Sequence, residues 1–112
     1  MITTTTEGMK EQRRSRRIVA TVSLEIDSNG DLLPASTAVI NLNGALILSA
    51  VNWPPGTDLA IRNPGTGREV RGRVVWSGTQ DPSRSYKLGV EFRSASPEFW
   101  GESYDLHGEE VP

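Results

Sequence analysis

The chain has 112 residues, no cysteine and a formal net charge of −2, which fits one domain able to bury a core of its own. Without cysteine there is no disulfide, no thiolate metal site and no cysteine nucleophile. The longest apolar run, residues 45–48, is too short to span a bilayer, and residues 1–9 lack a charged-then-apolar signal pattern, so the expectation is a soluble, cytoplasmic protein.

Residues 1–12 are threonine-rich, then charged, with no apolar period, and read as a disordered leader. Lys10, Arg13, Arg14, Arg16 and Arg17 crowd one short stretch, opposed only by Glu11. The other end carries Glu98, Glu102, Asp105, Glu109 and Glu110. A basic arm on an otherwise acidic chain points to a local anionic partner, not to a broad surface for a nucleic-acid polymer. A merely solvated terminus has the same composition.

From Ile18 the pattern changes. Ile18, Ala20, Val22, Leu24 and Ile26 alternate with other residues, the period of a half-buried strand. Asp27-Ser28-Asn29-Gly30 is a turn cluster. A second strand is expected over residues 37–42, with Ala38, Ile40 and Leu42 on one face. Asn43-Gly44 then reads as a tight hairpin, followed by a third strand over residues 45–51. Pro54-Pro55-Gly56 breaks the pattern. Leu59 and Ile61 mark a fourth strand, closed by Asn63-Pro64-Gly65. A fifth runs over residues 69–76, with Val70, Gly72, Val74 and Trp76 on one face. A sixth runs over residues 85–93, with Tyr86, Leu88, Val90 and Phe92 inward. Ser96-Pro97-Glu98 has the character of a helix start, so one short C-terminal helical turn should lay Phe99 and Trp100 over the barrel end. Residues 102–112 form an acidic tail. Short strands joined by glycine and proline turns indicate an all-β sandwich or barrel with antiparallel pairs.

No convergent catalytic set is visible, so the expectation is a binding protein and not an enzyme. His107 is the single histidine and lies in the acidic tail, without companions for a metal site. Glu25, Glu69 and Glu91 fall on polar strand faces, where pairing with Arg71, Arg73 or Lys87 accounts for them. Pro64-Gly65-Thr66-Gly67 reads as turns, since no helix follows to make a phosphate loop. The arm is what remains. Arginine presents a planar fork that grips phosphate oxygens in pairs and stacks on aromatic planes, so two arginines four positions apart can clasp one small anion.

These residues resemble the PilZ domain family, bacterial receptors for the second messenger cyclic di-GMP. The resemblance runs from Arg13 to Trp100. Arg13 and Arg17 have the family's RxxxR spacing. Thr37-Ala38-Val39-Ile40-Asn41-Leu42-Asn43-Gly44-Ala45 falls where the family has its D/NxSxxG motif. Gly72-Arg73-Val74-Val75-Trp76 is similar to its penultimate strand, and Tyr86-Lys87-Leu88-Gly89-Val90-Glu91-Phe92 to its last.

The resemblance implies a six-stranded antiparallel β-barrel over residues 13–101, including a flexible N-terminal arm. It implies that Arg13 and Arg17 hold ligand phosphate and guanine, and that Val39, Asn41 and Gly44 occupy the motif positions that read the guanine edge. Val39 departs from the motif, standing where Asp or Asn is expected, and Asn41 replaces Ser. A second register sets Asn41 first and Asn43 third, with a loop two residues shorter. An unmet donor in a buried site costs about 1–3 kcal/mol, so Val39 weakens binding by roughly ten- to a hundredfold. Two expectations follow. One is a cyclic di-GMP receptor acting through a protein effector. The other is a barrel that has lost the nucleotide and serves as a protein interaction module. A barrel for single-stranded nucleic acid is the third reading, disfavoured because the basic residues are confined to the arm. No cofactor and no membrane contact are expected.

Overall fold

A computed structural model describes residues 16–80, 84–94, 96–104 and 106. The described residues form seven strands and one helical turn: β1 (Ile18–Val19), β2 (Ser23–Ser28), β3 (Asp31–Asn41), β4 (Gly44–Ser49), β5 (Asp58–Asn63), β6 (Arg68–Gln80), β7 (Tyr86–Phe92) and α1 (Pro97–Trp100). Six of the strands close a barrel in the order β3-β2-β5-β6-β7-β4, with β4 returning to β3, and β1 lies outside on β3. Every pairing is antiparallel. The barrel is two three-stranded meanders, β2-β3-β4 and β5-β6-β7, sewn together along β2–β5 and β4–β7.

Period-two alternation fills the inside. Leu24 and Ile26, Leu59 and Ile61, Val70 and Val74, and Leu88, Val90 and Phe92 are buried from β2, β5, β6 and β7 in turn. Ile40 and Ile47 complete the barrel interior. Phe99 and Trp100 close one end against Phe92, with ring centroids 4.8–5.9 Å apart. Pro97 opens α1, but Ser96 makes no side-chain cap; its hydroxyl donates to the Ser94 carbonyl. Leu106, within the stretch expected as an acidic tail, is also buried in this core.

Four local readings are corrected. The expected first strand, residues 18–26, is two strands, because residues 20–22 leave the regular ladder. There the buried Thr37 hydroxyl accepts from the Val22 N–H (2.9 Å) and donates to the Ala20 carbonyl (2.6 Å). The second strand begins at Asp31, not at residue 37, and Pro34 interrupts its alternation. The Asn-Gly hairpin turn is Asn29-Gly30, with φ of 54° and 94° and its glycine N–H bonded to Asp27. At the other Asn-Gly, Asn41 pairs with Gly44, so the turn residues are Leu42 and Asn43. Trp76 does not face inward. A bulge at Val75 shifts the β6–β7 register between Val74 and Trp76 and turns Trp76 to the outer face, 48 % exposed.

Thr37→Val keeps the side-chain shape and removes both hydroxyl bonds, leaving the Val22 N–H and Ala20 carbonyl short of a partner. The expected cost is about 2 kcal/mol, read as a fall of roughly 10 °C in a thermal melt followed by circular dichroism.

Candidate ligand-binding site

The site is built where the arm meets the β3–β4 hairpin. The Arg16 N–H donates to the Leu106 carbonyl at 3.0 Å, and the Arg16 carbonyl accepts from Asn41 Nδ2 at 3.3 Å. The root of the arm is thus held between the C-terminal segment and the end of β3. Beyond it, Ile18 pairs with Ile40 and Val19 with Val39. The same register, carried one step back, sets the exposed Arg17 beside Asn41.

The hairpin tip is anchored from below. Successive carbonyls of Asn41, Leu42 and Asn43 accept from Trp100 Nε1 (2.9 Å), the Ser96 N–H (3.3 Å) and the Phe92 N–H (2.7 Å). Asn41 Oδ1 also accepts the Asn43 N–H at 2.8 Å. Both ends of the Asn41 amide are therefore committed to the protein. This residue shapes the platform and has little left with which to read a base edge.

Val39 stands on the outer face, half-buried between Val19 and Leu46 on the neighbouring strands. It offers no acceptor there. Gly44 is buried, and a Cβ on it would lie 2.1 Å from the Val90 carbonyl oxygen. Its motif glycine is explained by this close approach of β4 to β7. Arg17, Val39, Asn41 and Gly44 are thus brought together at one end of β3, whereas Arg13 lies outside the described residues, as do residues 1–12 and His107.

Around the barrel the charge is arranged in pairs. Asp58 lies 3.3 Å from Arg93 and 3.9 Å from Arg73, and Glu25 lies 3.9 Å from Arg62. Arg73 therefore meets Asp58, not the acids expected as its partners. Among the described residues no group of His, Cys, Asp or Glu is placed to hold a metal ion. No helix there is long and apolar enough to cross a membrane. A separate cleft of about 600 Å3 lies near the capped end, between Thr66, Arg68, Glu98, Glu102 and Tyr104, and contains none of the motif residues.

Sequence reasoning missed Arg16, Leu106 and the carbonyl cluster over Trp100. Backbone acceptors carry no sequence signal. The one trace was the pairing of Trp100 with a short helical turn, which foretold a cap but not its hydrogen bond.

A family model described as PilZ domain matches residues 11–101. None of the curated proteins matches the sequence. Among solved structures the chain is similar to the Bacillus subtilis inhibitor of motility, MotI/DgrA, with a TM-score of 0.61 and 19 % identity over 76 % of this chain. It spans 44 % of that structure's chain.

Gly44→Ala forces β4 away from the Val90 carbonyl. The expected loss is about 3 kcal/mol, measured by urea unfolding, with faster amide exchange along β4 and β7 than along β2.

Proposed function

The chain belongs to the PilZ domain family, and on that premise we propose that it is a cyclic di-GMP receptor domain whose arginine arm carries most of the recognition. The observation behind this reading is the pinned arm root. Asn41 and Leu106 hold Arg16, which leaves the next residue, Arg17, exposed over the end of β3. Arg13, four residues earlier, completes the clamp. Each guanidinium supplies charge-assisted bonds of about 1.5–3 kcal/mol to phosphate oxygens or a guanine edge. The domain acts as an adaptor: ligand capture orders the arm and changes the surface offered to a protein effector. No catalytic step is part of this function.

A second reading has its own support. Val39 lies in an apolar rung and Asn41 spends its amide internally, so the base-reading half of the motif is lost. On this reading the barrel works as a protein interaction module without nucleotide.

Calorimetric titration with cyclic di-GMP separates the two. The receptor reading expects saturable heat that disappears in Arg13→Ala and in Arg17→Ala while the melting temperature holds. It also expects Val39→Asn to tighten binding by about tenfold, the value of one recovered hydrogen bond. Absence of heat from the folded parent and from Val39→Asn alike would overturn the receptor reading and leave the interaction module.

A further inference from the structure

We propose that the outer face of β4 and β7 is the docking surface for a second copy of this chain, paired about a two-fold axis. One rung of the sheet carries the argument. Val39 stands opposite Leu46, Leu46 opposite Gly89, and Gly89 opposite Trp76. Leu48 lies one step further along the same face of β4. Val39, Leu46 and Leu48 are only half-buried, and they are absent from the core cluster and from the residues packed on it. The Trp76 indole lies across Gly78 and Gly89; a Cβ on either glycine would meet its ring at 3.3–3.4 Å. Its outer side stays open. The rest of the barrel wall, on β2, β5 and the start of β6, presents Glu25, Asp27, Arg62 and Arg71. The β4–β7 face, by contrast, carries an apolar rung whose flanking charges, Lys87 and Glu91, are opposite in sign and can pair when it is covered.

The charges beside the rung select the occupant. Lys87 and Glu91 lie two residues either side of Gly89 on the same outer face of β7, and both are exposed. Neither forms an ion pair among the described residues. Glu91 is opposite Arg73 in the ladder, but that guanidinium is directed to Asp58. A two-fold axis along the Leu46–Gly89 rung reverses the strand direction of the second copy. Lys87 then meets the partner's Glu91, and Glu91 meets the partner's Lys87. Leu46 and Trp76, on the axis rung, cover their own counterparts, and Leu48 lies over the Gly44 position of the second copy, the reciprocal pattern of an isologous contact.

The test is sedimentation equilibrium on the full chain, from micromolar to the highest soluble concentration. A monomer–dimer equilibrium is expected. Leu48→Glu should abolish it with an unchanged circular dichroism spectrum. Lys87→Glu and Glu91→Lys, each on its own, should weaken it by about tenfold or more through like-charge contacts. The double swap, Lys87→Glu with Glu91→Lys, should return the affinity to near that of the parent. A chain that stays monomeric throughout overturns the proposal. So does a dimer indifferent to Leu48→Glu, or a double swap no stronger than its single components.

Discussion

Three consecutive carbonyls at the tip of the β3–β4 hairpin tie the candidate site of this domain to the barrel cap. A hairpin tip ordinarily gives such groups to water. Here Asn41, Leu42 and Asn43 give them to Trp100, Ser96 and Phe92. Each bond adds about 1 kcal/mol net, but their geometric effect is larger. They join the motif strand to the aromatic plug, and the plug joins it to β7 and to the C-terminal segment. The root of the arm is tied to this cluster, because Asn41 and Leu106 both hold Arg16. A change in the barrel cap is therefore also a change at the root of the arm.

Much of the fold was legible from the chain. Alternating Leu24 and Ile26, Leu59 and Ile61, and Leu88, Val90 and Phe92 mark inward faces, and the structure buries all of them. The reading failed where a strand gains a residue. A bulge changes the parity of every position beyond it, and nothing in Val74-Val75-Trp76 announces one. The same holds at Thr37, where a second register shift accompanies the interruption of the first strand. The two Asn-Gly pairs show the limit of dipeptide signals. Asn29-Gly30 uses its positive φ angles. Gly44 owes its identity to the nearness of the Val90 carbonyl, a contact made with a residue far along the chain.

The family resemblance nominates residues for the candidate site but does not reveal how the fold uses them. The resemblance to the PilZ motifs nominates Arg17, Val39, Asn41 and Gly44, and the fold gathers them at the end of β3. What spacing cannot reveal is that the Asn41 amide is consumed by Arg16 and Asn43. Nor can it reveal that Val39 continues an apolar rung from Val19 to Leu46. Both depend on which strands become neighbours, and the β1–β3 pairing is set by the detour at Thr37.

The two seams of the barrel are unequal. Six residue pairs join β4 to β7, but only three join β2 to β5. These seams lie on opposite sides of the ring, and each joins strands that are distant in sequence, so both form late relative to the local hairpins. With half as many ladder pairs, the shorter one is the seam expected to open first. Local opening at the shorter seam would leave the ladder beneath the apolar rung of β4 and β7 paired.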